Sequence, residues 1–177
     1  MVGLQIVQCN LGGDFVTNDV YLLSDTIVFD SKPIAVPYNY RISYKIAQIM
    51  LVISLSCSRG GCSLVKIHMI SMALSSKDSM EKLLDFANGR LIEIPVVRFD
   101  PAVNRALLFA FSEKLIVQQK DGKIRLTVEG KNYISAILKD KTLMVREKIF
   151  LKQLSTKITE KVISDIMTNW RYQNATN

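Results

Sequence analysis

Residues 114–134 constrain the fold of this 177-residue chain more than any other segment. They read KLIVQQKDGKIRLTVEGKNYI and predict a β-hairpin that is followed directly by a helix. Residues 115–119 and 124–128 are short runs rich in β-branched side chains, which favour strands. The polar loop between them contains Asp-Gly, and glycine readily takes the positive φ that such a turn requires. We therefore expect two short antiparallel strands, with a helix over 131–138.

Helix signals precede this hairpin. An apolar helix is expected over Ile42–Ser56, and Ser63 is the predicted N-cap of a second helix over 64–74. Asp78 with Glu81 three residues later resembles a capping box and predicts a third helix, over 78–87. Residues 91–97 indicate a strand or an extended linker. Asp100-Pro101 predicts a fourth helix, over 101–114, with aspartate as N-cap and proline at the first helical position.

A hairpin placed between helices in this order is typical of a winged-helix domain, in which the hairpin is the wing. The predicted fold is therefore mainly α with a small β-hairpin. Residues 1–40 would be an N-terminal extension of short strands or loops, and 41–140 the winged-helix domain. Residues 141–177 would form a long C-terminal amphipathic helix and a polar tail.

The C-terminal segment shows an apolar residue at every fourth position. This period predicts one amphipathic helix over 142–170, with Asp140 as its candidate N-cap. The stripe needs a covering surface, which is either the protein's own core or another subunit. With one residue of the fourth helix added, the candidate partner-interface residues are Arg105, Phe150, Leu154, Ile158, Val162, Ile166 and Trp170.

Charge is concentrated in the last third of the chain. Residues 1–113 contain ten basic and ten acidic residues, whereas 114–177 contain thirteen basic and six acidic residues and carry the whole net charge of +7. A localised basic surface is expected for a polyanion partner, although lysines on a solvated helix face give the same count. The candidate nucleic-acid-binding residues are Lys120, Lys123, Arg125, Lys131, Lys152, Lys157 and Lys161.

The helix expected over 101–114 has the position of a recognition helix but not its composition. Base readout needs several polar side chains on one face. Only Asn104 and Arg105 near its start meet that need, and the remaining residues are mostly apolar. We therefore expect this helix to be buried nearly all round, which argues against sequence-specific reading of DNA.

No residue pattern indicates catalysis, a cofactor or a metal. The single histidine, His68, lies in an apolar helix and is expected to be a core residue. No nucleophile elbow or phosphate-binding loop occurs.

The three cysteines are an odd number, so Cys57 and Cys62 are expected to be free thiols. The most apolar run, 46–57, is too short to span a membrane, and no leader pattern is seen, so a soluble cytoplasmic protein without membrane contact is expected.

Three segments together resemble a known family. They are CSLVKIHMISMAL at 62–74, FDPAVNRALLFAFSEKLI at 99–116 and GKIRLTVEGKNYI at 122–134. They resemble the small middle component of bacterial ABC-type three-component systems, which include Lamassu-like antiviral defence operons. Residues 99–107 are the most specific part. The resemblance implies a non-enzymatic adaptor that works with a large SMC-like ATPase and an effector, often a nuclease, in sensing foreign DNA of phages or plasmids.

A second function class remains open from the sequence. A free-standing winged-helix transcriptional regulator would form a homodimer and bind one double-stranded DNA sequence far more tightly than others. The low polarity of 101–114 counts against that alternative. Residues 1–40 are difficult to interpret, and an enzymatic function is kept as a third hypothesis only for that reason.

Overall fold

The structure of the protein is a computed structural model that describes residues 37–38, 41–58, 60–91 and 97–175, with 171–175 described by their backbone alone. The chain divides into two units, Met1–Ala35 and Val36–Asn177, and every described residue lies in the second. The predictions for 1–40, apart from Pro37 and Tyr38, and for 92–96 lie outside the described residues.

The described part is mainly helical with one small hairpin, which confirms the prediction of a mainly α fold with a small β-hairpin. Its helices and strands in chain order are α1 (Ile42–Ser56), α2 (Leu64–Ala73), α3 (Lys77–Ala87), α4 (Pro101–Ser112), β1 (Ile116–Gln118), β2 (Ile124–Leu126), α5 (Val128–Lys139), α6 (Val145–Leu154) and α7 (Glu160–Ala175).

Helix α1 is the centre of the core. It packs against α2, α4, α5, α6 and β2. Ile49, Met50, Leu51 and Val52 are four consecutive residues with no exposed surface, which requires neighbours on every side of the helix. The prediction of a buried core helix is confirmed. Among the described residues, no helix is long and apolar enough to cross a membrane.

Side-chain caps set where α2, α3 and α4 begin. The Ser63 hydroxyl accepts the Lys66 N–H at 3.3 Å, and the Asp100 carboxylate accepts the Ala102 N–H at 2.8 Å, so both predicted N-caps are confirmed. The predicted start of α3 is wrong. Its N-cap is Ser76, which accepts the Ser79 N–H at 3.1 Å, and Asp78 lies in the first turn.

The hairpin pairs antiparallel, with Val117 opposite Arg125. A third short segment joins its other side, because Cys62 and Ile124 exchange two backbone hydrogen bonds of 2.8 Å each. Strand β2 is therefore flanked on both sides, and β1 is the edge strand. The helix after the hairpin begins at Val128, earlier than predicted, because the Thr127 hydroxyl accepts the Gly130 N–H at 3.0 Å and caps it.

The single long helix predicted over 142–170 is wrong. The chain forms α6 and α7 instead, separated by a turn in which Ser155 has a φ of +47°. Asp140 is not the N-cap of α6; it caps the preceding turn, where its carboxylate accepts the N–H groups of Thr142 and Leu143. A straight helix would carry its second half away from the core, whereas the turn returns α7 to α2.

The apolar stripe packs on the protein's own core, which answers the question that the sequence left open. Phe150, Leu154, Ile158 and Ile166 are all buried, and two further residues, Val162 and Trp170, pack against the same cluster while partly buried. These side chains therefore pack inside the chain itself, and the prediction that the stripe is a partner interface is corrected.

Candidate nucleic-acid interface and exposed apolar surface

The junction between the hairpin and α5 is built around Thr127 and Gly130. The Thr127 hydroxyl hydrogen-bonds the carbonyl oxygens of Lys114 at 2.6 Å and Leu115 at 3.1 Å, and it accepts the Gly130 N–H. A Cβ on Gly130 would overlap the Leu115 carbonyl. Glycine at this position therefore lets α5 pack directly against the backbone just before β1, which fixes the position of α5 beside the hairpin.

A groove of about 990 Å³ lies between the end of α1, the hairpin and the start of α5. Arg125 of β2 and Lys131 of α5 are both exposed and both line it. Glu129 is the one acidic residue among its lining residues. Hydroxyl groups complete the polar part of the lining, contributed by Ser54, Ser58, Thr127 and Ser135. The structure thus brings together two predicted nucleic-acid-binding residues from different elements.

The other two hairpin candidates lie at its tip. Lys120 is exposed, and the Lys123 ammonium group pairs with the Asp121 carboxylate at 2.9 Å. The hydrogen bonds from Lys123 hold the pKa of Asp121 below its usual value. Both partners remain open to solvent, where such a pair contributes little to stability. Lys123 therefore carries its own counter-charge, whereas Lys120 forms no ion pair among the described residues.

The three C-terminal lysines do not line this groove. Lys152 on α6 and Lys161 on α7 are exposed. Lys157 lies in the turn between these helices and donates a hydrogen bond to the Asn88 side chain at 2.8 Å. A fourth lysine of the region, Lys148, is buried and donates to two carbonyl oxygens near the end of α5. The three predicted lysines are thus exposed outside the groove, whereas Lys148 lies in the interior.

The expectation that the helix over 101–114 is buried nearly all round is wrong. Val103, Ala106 and Leu107 face the core, but Leu108 is 67% exposed and Phe109 is 49% exposed. Arg105, the remaining partner-interface candidate, is exposed one turn before them. Two large apolar side chains beside a cation therefore form an exposed patch that the sequence did not reveal, because α4 appears apolar on every face.

His68 is buried and belongs to a partly buried polar network. Its Nδ1 accepts the Asp100 N–H at 3.2 Å, and its Nε2 is 2.9 Å from the Asn104 side-chain oxygen. Asp100 also pairs with Lys45 at 3.2 Å. The Phe99 ring packs on the imidazole with ring centroids 4.6 Å apart. Burial lowers the pKa of His68, so the neutral ring serves as a link between α2 and the start of α4.

The cysteine prediction is corrected. Cys57 and Cys62 are joined by a disulfide across the turn after α1, with Cα atoms 5.4 Å apart. That separation is typical of disulfides, and an odd cysteine total does not exclude one local pair. Within the described residues, no group of three or more histidine, cysteine or acidic side chains could hold a metal ion.

Comparison with protein-family models, curated proteins and solved structures finds no match.

Proposed function

We propose that this chain is a non-catalytic binding subunit that contacts the backbone of double-stranded DNA through its hairpin and α5. The observation that carries the proposal is the groove in which Arg125 and Lys131 lie together. Phosphate oxygens are bound by arginine, lysine and hydroxyl groups, and this groove offers all three. Lys120 at the hairpin tip extends the basic surface.

The exposed residues of α4 favour contact without base reading. Arg105 is accompanied there by Leu108 and Phe109, which offer no hydrogen bonds to base edges. The Asn104 side-chain oxygen is already engaged by His68. We infer a winged-helix arrangement whose wing and following helix touch phosphates, supported by the order of α4, hairpin and α5 and by the segment at Cys62 that pairs with β2.

We further propose that the chain is an accessory subunit of an SMC-like ATPase and an effector such as a nuclease, in a complex that senses foreign DNA. The family resemblance of 62–74, 99–116 and 122–134 supports this part of the proposal. The exposed apolar residues of α4 support it as well, because surfaces of this kind mark protein contacts.

Fluorescence anisotropy with two unrelated duplexes of equal length tests the DNA contact. The wild-type chain should bind both duplexes with similar affinity, and Arg125→Glu/Lys131→Glu should weaken binding at least tenfold. Lys152→Glu/Lys161→Glu makes the same change in net charge outside the groove and should weaken binding much less. Equal losses for the two double variants would contradict the groove. Strong preference for one duplex would favour a sequence-specific transcriptional regulator instead.

A further inference from the structure

The backbone hydrogen-bonding groups on the outer edge of β1 have no backbone partner among the residues that the structure describes. Thr127 donates to the Leu115 carbonyl at 3.1 Å, and Gln119 donates to the Lys123 carbonyl at 2.8 Å. Because such bonds alternate along an antiparallel strand, the N–H and C=O groups of Ile116 and Gln118 point away from β2. Within the described part of the chain, no backbone group pairs with them.

An apolar groove of about 570 Å³ runs along this same edge, between β1 and α4. Leu108 and Phe111 line it from α4, and Val117 lines it from β1. Leu108 and Val117 are 67% and 42% exposed, so their side chains are open to a ligand. An edge strand beside an apolar groove is the arrangement that binds an extended peptide by adding a strand to a sheet.

Lys114 provides the charge of this groove. It is the one charged residue among the groove's lining residues and forms no ion pair within the described residues. Its φ is +54°, at the position after a helix where glycine is usual, and the Thr127 hydroxyl holds its carbonyl oxygen. A lysine therefore occupies a backbone conformation that suits glycine better, and it lines the groove beside β1.

We propose that the outer edge of β1 binds an extended, acidic segment of a partner protein. The segment adds a strand beside Ile116 and Gln118, places an apolar side chain against Leu108 and Phe111, and sets a carboxylate opposite Lys114. The inference rests on the proposed role as a binding subunit and names the chemistry of its partner. A second copy of this chain is a poorer occupant, because pairing two β1 edges brings two basic segments together.

Titration of the isotope-labelled full chain followed by NMR tests this proposal. The probe is a short synthetic peptide of alternating valine and glutamate, and the control peptide has lysine in place of glutamate. The glutamate peptide should bind roughly two- to fivefold more tightly, and it should protect the Ile116 and Gln118 amides from hydrogen exchange. Equal affinity for the two peptides, no protection of these amides, or dimerisation of the free chain through β1 would each overturn the proposal.

Two variants distinguish the effect of the Lys114 side chain on peptide binding from its effect on the stability of the fold. Lys114→Glu should reverse the preference between the two peptides. Lys114→Gly should weaken binding of the glutamate peptide. It should also raise Tm by roughly a few degrees, because glycine takes the positive φ without strain. Unchanged peptide affinity in both variants would remove Lys114 from the site. Failure of peptide binding, with DNA affinity still dependent on Arg125 and Lys131, would overturn this inference and leave the proposed DNA contact standing.

Discussion

At the scale of single residues, most of the segment that is most specific to the family resemblance stabilises this fold. Asp100 caps α4 and pairs with Lys45, while Asn104 and Phe99 both contact His68. The pattern FDPAVNRAL is thus explained by the start of α4, except for Arg105, which is exposed. The sequence predicted the Asp100 cap and the burial of His68, because both follow from local patterns. It did not predict the network, which joins positions distant in the chain.

Asp100→Ala should destabilise the protein by roughly 2–3 kcal/mol. The variant loses the helix cap, and it leaves the nearly buried Lys45 ammonium group unpaired. Asp78→Ala is the control, because it removes an ion pair with Lys82 in which both side chains are exposed and should cost about 0.5 kcal/mol. Urea unfolding of both variants measures the difference, and equal losses would contradict the proposed role of the Asp100 network.

The stability of the protein should decrease as the pH falls below about 6.5, the ordinary pKa of histidine. Burial lowers the pKa of His68 in the folded chain, so below that pH the unfolded chain binds a proton more readily and unfolding is favoured. His68→Asn does not titrate and retains an acceptor for the Asp100 N–H. Its free energy of unfolding should change less than that of the wild type between about pH 7 and pH 5. Parallel pH profiles would contradict this assignment.

At the scale of the elements, the start of α5 depends on a close backbone approach. Gly130→Ala would place a methyl group on the Leu115 carbonyl and should destabilise the fold by roughly 3 kcal/mol or more. Gly60→Ala is the matched control, because the nearest atom to its added Cβ is a side-chain oxygen 3.7 Å away. Thermal unfolding compares the two, and a near-neutral Gly130→Ala would refute the close contact between α5 and the hairpin.

The errors at the level of elements have local physical causes. The four-residue apolar period continues unchanged through Leu154 and Ile158, so it hid the break between α6 and α7. The available signal was Thr159, whose hydroxyl accepts the Val162 N–H at 3.3 Å near the start of α7. The hydroxyl groups of Ser76 and Thr127 likewise cap the starts of α3 and α5. Hydroxyl caps, more than hydrophobic periods, determine these boundaries.

At the scale of the whole molecule, α6 and α7 complete the core around α1. Tyr44 on α1 donates to the Glu147 carboxylate of α6 at 2.8 Å, and burial together with this bond raises the pKa of Tyr44. Glu160 at the start of α7 accepts the Ser63 N–H at 3.2 Å, which joins α7 to the start of α2. The C-terminal third is therefore integral to the fold of residues 36–177.

Leu154→Ala should destabilise the protein by roughly 2–5 kcal/mol, because this side chain has no exposed surface. Ile149→Ala, on the same helix but 54% exposed, should change stability by about 0.5 kcal/mol or less. Chemical denaturation of the isolated chain distinguishes them. A neutral Leu154→Ala would mean that the stripe on α6 and α7 is not part of the chain's own core.

The candidate site was only partly predictable. The sequence identified Arg125 and Lys131 as basic residues of the right region, but their common groove depends on the packing of α5 against the hairpin. It grouped them with Lys152 and Lys161, which line no part of that groove. Leu108 and Phe109 were missed for the opposite reason, since a helix apolar on every face does not show which face is covered.

The dependence of DNA affinity on salt tests the central proposal most directly. Each phosphate contact made by a lysine or arginine releases a counterion, so log affinity falls linearly with log salt concentration. Arg125→Ala/Lys131→Ala should make this slope shallower by roughly two, and Lys152→Ala/Lys161→Ala should leave it nearly unchanged. Parallel slopes for the wild-type chain and Arg125→Ala/Lys131→Ala would contradict contact between this groove and the DNA backbone.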